Sequence, residues 1–261
     1  MRWRWRRWAV GLAPLLVIAA VVLLLVIRGR VGGGDIAQDR PGTVLLVAGY
    51  GGSTNALQGL QARLRASGRS VEIVPPVGDN TGNLRAQARQ LDSVARREVA
   101  AGAPSVDVVG YSAGGVVARI WVAELGGDGL ARRVVTLGSP HHGTEVAGLA
   151  LGLAPGACPP ACRELAPASE LLRGLPEAPA GPRWTSIWTT GDETVLPPDS
   201  ARLAGAVTVQ LQQVCPDARV THGGLPGDPL TTGLVRLALG VAPLDEVPAP
   251  GRCAGLRLSG A

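Results

Sequence analysis

The chain has 261 residues, with 25 cationic side chains and 20 acidic ones, so its formal net charge is +5. Every cation is Arg, and six of them precede the first acidic residue, Asp35. The rest of the chain is therefore close to neutral and gives no support to nucleic-acid binding. A charged fraction of 17% beside a hydrophobic fraction of 46% also excludes a disordered chain.

The N-terminal segment, residues 1–30, has the composition of a membrane anchor. Residues 9–27 form an uncharged apolar run. As a helix this run spans about 28 Å, close to the ~30 Å hydrocarbon core of a bilayer. Four arginines and three tryptophans precede it and two arginines follow it, which favours a cytoplasmic N-terminus. We therefore predict a single-pass signal anchor in the cell membrane with an extracytoplasmic body.

A cleaved signal peptide is the alternative for this segment, and it would give a secreted protein. The apolar run is longer than usual for a signal peptide, and no A-x-A-like site precedes Asp35.

After a Gly-rich linker over residues 31–40, short apolar runs alternate with longer helical stretches. The predicted strands are 44–48, 71–74, 106–109, 134–137, 185–189 and 207–211, and the predicted helices are 56–67, 84–101, 113–125 and 230–239. Continuous β-branched runs separated by helices are typical of a parallel sheet covered on both faces. We therefore predict one α/β domain over residues 41–261, with a doubly wound, mostly parallel sheet of about six strands.

A strand-to-helix turn in this pattern carries a nucleophile motif. Gly110-Tyr111-Ser112-Ala113-Gly114 is G-x-S-x-G, and it lies between the strand 106–109 and the helix 113–125. A sharp turn at this place exposes a serine hydroxyl above the carboxyl edge of the sheet. Ser112 is therefore the predicted nucleophile.

Residues 145–183 interrupt the alternation and are rich in Ala, Gly, Leu and Pro. Insertions after strand ends in such sheets often cover the site, so we predict a lid-like insertion here. Irregular packing without a lid role is the alternative.

Four cysteines lie in the body of the chain, and an even number outside the cytoplasm favours disulfides. Three pairings are possible. We favour Cys158–Cys162, which closes a short loop, together with Cys215–Cys253, which would attach the C-terminal tail to the body. A metal site is disfavoured because no His lies near these cysteines at ligand spacing.

A serine nucleophile needs a base, and only His141, His142 and His222 are present. The chain order Ser, acid, His places the base after a late strand, which selects His222. Asp192 is the first carboxylate after the strand 185–189 and is the predicted acid, with Glu193 as its rival. The backbone N–H groups of Ala113 and Tyr50 are the predicted oxyanion donors.

Together these segments resemble the bacterial serine lipases and esterases of the α/β-hydrolase fold, especially secreted triacylglycerol lipases of actinobacterial type. The likeness rests on VLLVAGYGGS at 44–53, VDVVGYSAGGVVAR at 106–119, VVTLGSPHHGT at 134–144, SIWTTGDETVLPP at 186–198 and THGGL at 221–225. Ala48 stands where the family often has His. The resemblance also implies that His141 and His142 shape the mouth of the site and hold no metal.

The resemblance implies a carboxylic-ester hydrolase that acts on lipids or other esters through an acyl-enzyme and needs no cofactor. An acyltransferase, which uses the same triad with an acceptor other than water, is the first alternative. A non-catalytic partner-binding protein that keeps the fold is the second.

Overall fold

Six parallel strands form the frame on which the site is built. The computed structural model describes residues 36–261, and its single sheet has the strand order β2-β1-β3-β4-β5-β6. The strands are β1 (Thr43–Val47), β2 (Val71–Ile73), β3 (Val106–Tyr111), β4 (Ala131–Leu137), β5 (Arg183–Trp188) and β6 (Val207–Gln210). The predicted six-stranded, doubly wound parallel sheet is confirmed.

Nine α-helices lie in the described part of the chain. They are α1 (Asn55–Ala66), α2 (Leu84–Ala100), α3 (Ala113–Glu124), α4 (Glu145–Leu153), α5 (Pro160–Glu164), α6 (Glu170–Gly174), α7 (Leu211–Val214), α8 (Pro229–Ala238) and α9 (Cys253–Gly260). The helices pack against the sheet in two apolar cores. One core holds α2, α3 and the insertion on one face of the sheet, and the other holds α1, α8 and α9 on the opposite face. Both faces are therefore covered, which explains why the strands read as continuous apolar runs.

The main difference from the predicted strands is at β4. It begins at Ala131, three residues before the predicted start, because Arg132 and Arg133 belong to the strand and are buried. Two arginines inside a strand break the run of apolar residues that marks a buried strand. Their burial is explained only by their hydrogen-bond partners in other elements.

Residues 145–183 contain the three short helices α4, α5 and α6. Hydrogen bonds tie the segment to the main body, among them those from Ala161 N–H to Thr81 O and from the Arg119 guanidinium to the carbonyls of Leu175 and Pro176. Three apolar side chains of α4 are exposed, Val146, Leu149 and Leu153. The insertion is therefore an ordered, helical layer, and its role as a lid stays a prediction.

The cysteines pair as predicted. Cys158 is bonded to Cys162 within the insertion, and Cys215 is bonded to Cys253, the first residue of α9. The second bond attaches the C-terminal helix to the loop that follows α7.

The predicted signal anchor of residues 1–30 and the first half of the linker, residues 31–35, lie outside the described residues. Within residues 36–261, no helix has both the length and the apolar character needed to cross a membrane.

Candidate active site

Ser112 lies in a strained turn between β3 and α3. Its backbone has φ +54° and ψ −126°, which is rare for a residue with a side chain. Ser112 N–H donates to Leu137 O at 2.8 Å, which ties the turn to β4. Gly114 is required because a Cβ there would lie 2.3 Å from the carbonyl oxygen of Val47. The sequence therefore folds into the predicted strand–turn–helix, with the serine at the carboxyl edge of the sheet.

The structure brings His222 against this serine. The distance from His222 Nε2 to Ser112 Oγ is 3.0 Å, and the distance from His222 Nδ1 to Asp192 Oδ2 is 2.7 Å. An ionised carboxylate only accepts hydrogen bonds, so Nδ1 carries the proton and Nε2 is free to accept the serine hydroxyl hydrogen. His222 and Asp192 are both 5% exposed. The three residues thus form one hydrogen-bond chain that ends on the serine oxygen.

Asp192 and Glu193, the two candidates for the acid of the site, have different hydrogen-bond partners. Asp192 bonds the imidazole ring with Oδ2, and its Oδ1 accepts from Thr194 N–H and Val195 N–H at 2.9 and 2.7 Å. Glu193 instead accepts the backbone N–H of His222 at 3.1 Å. The geometry therefore places Asp192, and not Glu193, on the ring.

The two predicted oxyanion donors belong to two segments that meet near Ser112. Ala113 is buried as the first residue of α3, and Tyr50 lies in the turn after β1 with a half-exposed side chain. This turn passes close to the nucleophile, since a Cβ built on Gly49 would be 3.3 Å from Ser112 Oγ.

Asn80 supports the turn after β1, a role that the sequence analysis did not predict. Its Nδ2 lies 3.5 Å from Gly49 O, and its Oδ1 accepts Val77 N–H at 2.8 Å. Asn80 adopts φ +55° and receives a hydrogen bond on its own carbonyl from Gln87. Asn adopts this left-handed conformation more readily than most residues do. The residue type at position 80 is therefore the only sequence feature that could have indicated this role.

Gly138 is a second residue that the sequence did not indicate. It follows β4 with φ +53°, and an added Cβ would lie 3.0 Å from Asp192 Oδ2, 3.2 Å from His222 Nδ1 and 2.6 Å from Leu225 Cδ1. The Asp–His hydrogen bond therefore occupies the space that a side chain at position 138 would need.

The adjacent residues His141 and His142 make no hydrogen bond to Ser112, His222 or Asp192. His141 is fully buried with its Nε2 3.1 Å from Thr136 Oγ1. Burial, with the nearby charges of Arg119 and His142, lowers the pKa of His141 well below 6.5. His142 is partly exposed and contacts the Glu177 carboxylate at 3.0 Å. Neither residue is placed to serve as the base.

One group within residues 36–261 has the proximity of metal ligands, namely Cys215, Asp217 and Cys253. Both sulfurs are in the same disulfide and therefore cannot act as thiolate ligands.

No protein-family model matches the sequence. Among solved structures, lipase B of Aspergillus fumigatus has 20% identity over 87% of this chain and 57% of that chain, with a TM-score of 0.68. The propeptide form of the Bacillus licheniformis lipase BlEst2 has 18% identity over 81% of this chain and 53% of that chain, with a TM-score of 0.65. The mature form of BlEst2 has 17% identity over 76% of this chain and 92% of that chain, with a TM-score of 0.62.

This chain thus spans little more than half the length of the first two proteins, at 57% and 53%. All three are fungal or Bacillus proteins, so the narrower likeness to actinobacterial lipases stays a prediction. At these identities the likeness concerns the fold, and together with the sheet order and the serine turn it shows that this chain has the α/β-hydrolase fold.

Proposed function

We propose that this protein is an extracytoplasmic carboxylic-ester hydrolase, a lipase or esterase that uses Ser112, His222 and Asp192 as a catalytic triad. The observation that carries the proposal is the unbroken hydrogen-bond chain from Asp192 through the His222 ring to Ser112 Oγ, with distances of 2.7 and 3.0 Å. This is the arrangement that activates a serine hydroxyl for acyl transfer. The likeness in fold to proteins named as lipases agrees with it.

The first half of the reaction forms an acyl-enzyme. His222 Nε2 takes the proton of Ser112 Oγ as the oxygen attacks the ester carbonyl carbon. The N–H groups of Ala113 and Tyr50 stabilise the resulting oxyanion. His222 then gives the proton to the leaving alcohol oxygen, and the bond between that oxygen and the carbonyl carbon breaks.

In the second half, water enters and His222 takes one of its protons. The hydroxide oxygen bonds the acyl carbon, the bond from that carbon to Ser112 Oγ breaks, and Ser112 regains its proton from His222. The products are a carboxylic acid and the free enzyme. Throughout both halves Asp192 stays ionised and stabilises the imidazolium of His222.

A lipid, such as a triacylglycerol, is the proposed substrate class. The exposed apolar side chains of α4 support this proposal. The start of this helix is hydrogen-bonded to the loop that carries Asp192, since Thr144 Oγ1 donates to Thr194 O and Glu145 N–H donates to Leu196 O. Exposed apolar surface on a helix tied to the loop of the proposed catalytic acid is suited to contact with acyl chains.

The extracytoplasmic location is supported by the two disulfides and by the predicted anchor of residues 1–30. Cell fractionation with protease treatment of intact cells tests it. Recovery of a soluble form with its N-terminus near Asp35 would instead establish a cleaved signal peptide.

The test of the activity uses the full-length chain in detergent. The wild type should label with a fluorophosphonate and hydrolyse esters in a series from butyrate to palmitate, and Ser112→Ala should do neither. Asp192→Asn should lower kcat about ten-thousand-fold because it disturbs the tautomer of His222, whereas Glu193→Gln should keep most of the activity. An unlabelled, inactive wild type would exclude the hydrolase, and the reverse ranking of the two acids would overturn the triad.

The same assay distinguishes hydrolysis from acyl transfer. With an added alcohol acceptor, a hydrolase should still release mainly the free acid. Predominant formation of the new ester would assign the protein as an acyltransferase.

A further inference from the structure

The proposed base is carried by a segment without regular secondary structure. Residues 215–224 form turns between α7 and the 3₁₀ helix Leu225–Gly227, and His222 lies within them. The hydrogen bond from His222 Nδ1–H to Asp192 fixes the orientation of the imidazole ring but does not by itself fix the main chain that carries the ring. The backbone of His222 therefore needs partners of its own.

Glu193 provides one of these partners. Its Oε2 accepts the His222 backbone N–H at 3.1 Å, while the preceding residue, Asp192, bonds the ring of the same histidine. Two consecutive carboxylates thus hold one residue at two separate points. A hydrogen bond to a charged acceptor is stronger than a neutral one, so this contact is a suitable anchor for a loop.

Tyr111 provides the other partner. Its hydroxyl donates to the His222 carbonyl oxygen at 3.3 Å, and its ring lies 5.2 Å from the imidazole between centroids, tilted by 33°. Burial, and then the charges of Asp192 and Glu193, raise the pKa of Tyr111 to about 12. The hydroxyl consequently keeps its proton and acts as a donor over the whole physiological range of pH.

We propose that Glu193 and Tyr111 are positioning residues that hold the main chain of His222 from both sides, so that its ring stays between Asp192 and Ser112. The inference rests on the proposed function and extends it, because both residues bond the backbone of His222, whereas its ring nitrogens bond Asp192 and Ser112. Tyr111 is also the first of the two variable residues of G-x-S-x-G, so this motif supplies a contact to the proposed base as well as the nucleophile.

Three single substitutions separate the bond from the charge. Glu193→Ala removes both and should lower kcat about tenfold, and Tyr111→Phe removes one neutral hydrogen bond and should lower kcat about fivefold, each with unchanged KM. Glu193→Gln keeps an acceptor for the N–H and should restore kcat to within about twofold of wild type.

Asp199→Asn is the matched control for charge. Asp199 is an exposed carboxylate that follows the same strand, and it makes no hydrogen bond to His222 or Asp192 within the described residues. It should leave kcat unchanged. Wild-type kcat in both Glu193→Ala and Tyr111→Phe would overturn the proposal, as would an equal loss of kcat in Asp199→Asn.

A second measurement does not depend on turnover. In the Ser112→Ala background, the low-field proton resonance of His222 Nδ1–H should exchange faster with water once Glu193→Ala or Tyr111→Phe is added. If the wild type proves inactive on esters, the proposed function fails, whereas this resonance still reports on the positioning of His222. Unchanged exchange in both double variants would exclude the positioning role.

Discussion

The two edges of the sheet each bury a carboxylate, and they satisfy it with different partners. At the amino edge, Asp107 in β3 is 0% exposed and accepts two hydrogen bonds from Arg132, at 3.0 and 2.7 Å, and a third from Arg69 at 2.5 Å. At the carboxyl edge, Asp192 accepts from the His222 ring and from two backbone N–H groups. Both carboxylates are therefore fully hydrogen-bonded, as burial requires.

The difference between the partners decides what each edge can do. Arg132 is permanently charged, and its remaining N–H groups donate to the carbonyls of Gln38, Leu239 and Gly240. All the N–H groups of the Arg132 guanidinium therefore have acceptors, and these hydrogen bonds join three distant segments of the chain. His222 is instead titratable, and its second ring nitrogen faces a serine hydroxyl. A buried carboxylate thus serves as a structural anchor at one edge and prepares a proton acceptor at the other.

The largest effect that would test this comparison is on stability. Asp107→Asn leaves the buried Arg132 without its counter-charge, and removal of one partner of a buried pair costs about 3–5 kcal/mol. The free energy of unfolding should fall by this amount in a urea titration, while the activity per folded molecule stays at the wild-type value. That result would assign the amino edge to stability alone.

The matched control for Asp107→Asn is Asp245→Asn, which breaks the ion pair with Arg183. Both side chains of that pair are mainly exposed, so a far smaller loss is expected. Equal losses in the two variants, or a large fall in activity in folded Asp107→Asn, would refute the division of roles between the edges.

The second effect is on activity, and it comes from the carboxyl edge. Gly138→Ala would place a methyl group against Asp192 Oδ2 and His222 Nδ1, at 3.0 and 3.2 Å in the present geometry. The ring must move, and a displacement of this kind costs about 100-fold in kcat/KM. Ester hydrolysis beside a thermal melt gives both quantities.

Gly68→Ala is the control for backbone strain. Gly68 also has a positive φ, +84°, but an added Cβ there would meet nothing within 4 Å. Both variants should lose about 1 kcal/mol of stability from strain, and only Gly138→Ala should lose activity. Retained activity in Gly138→Ala would show that the triad can move without loss.

The fold and the hydrogen-bonded set of Ser112, His222 and Asp192 could be predicted because short sequence segments and their order along the chain mark them. Apolar β-branched runs marked the strands, and the serine turn lies where G-x-S-x-G joins one such run to a helix. The order of elements then left His222 as the single late histidine and Asp192 as the first carboxylate after β5.

What could not be predicted depends on contacts between distant segments. In the sequence, Asp107 and Arg132 are charges that interrupt two apolar runs. Only the sheet register shows that they lie in adjacent strands and bond each other. Glu193 and Tyr111 act on the backbone of His222, and a backbone group has no sequence signature. The helices α5 and α6 have five residues each, which is too short for a helical period to show.

The third effect is smaller and concerns a second buried histidine near the carboxyl edge. His141 contacts Thr136 Oγ1 through Nε2, and its Nδ1 is buried without a hydrogen-bond partner among the described residues. The Arg119 guanidinium donates to the carbonyl of His141, so the nearest charge is positive. Unlike His222, this histidine has no carboxylate beside it and is held in its neutral form.

The pKa of His141 lies well below 6.5, so the unfolded chain takes up a proton below about pH 6.5 that the folded chain excludes. Its contribution to stability is therefore complete above that pH and decreases as the pH falls. Urea titrations across this range should show a shallower acid-side decrease in His141→Gln than in the wild type. If His141→Gln retained the full decrease, the acid sensitivity of the fold would belong to other groups, and a buried imidazole without a carboxylate would not need to stay neutral at this edge.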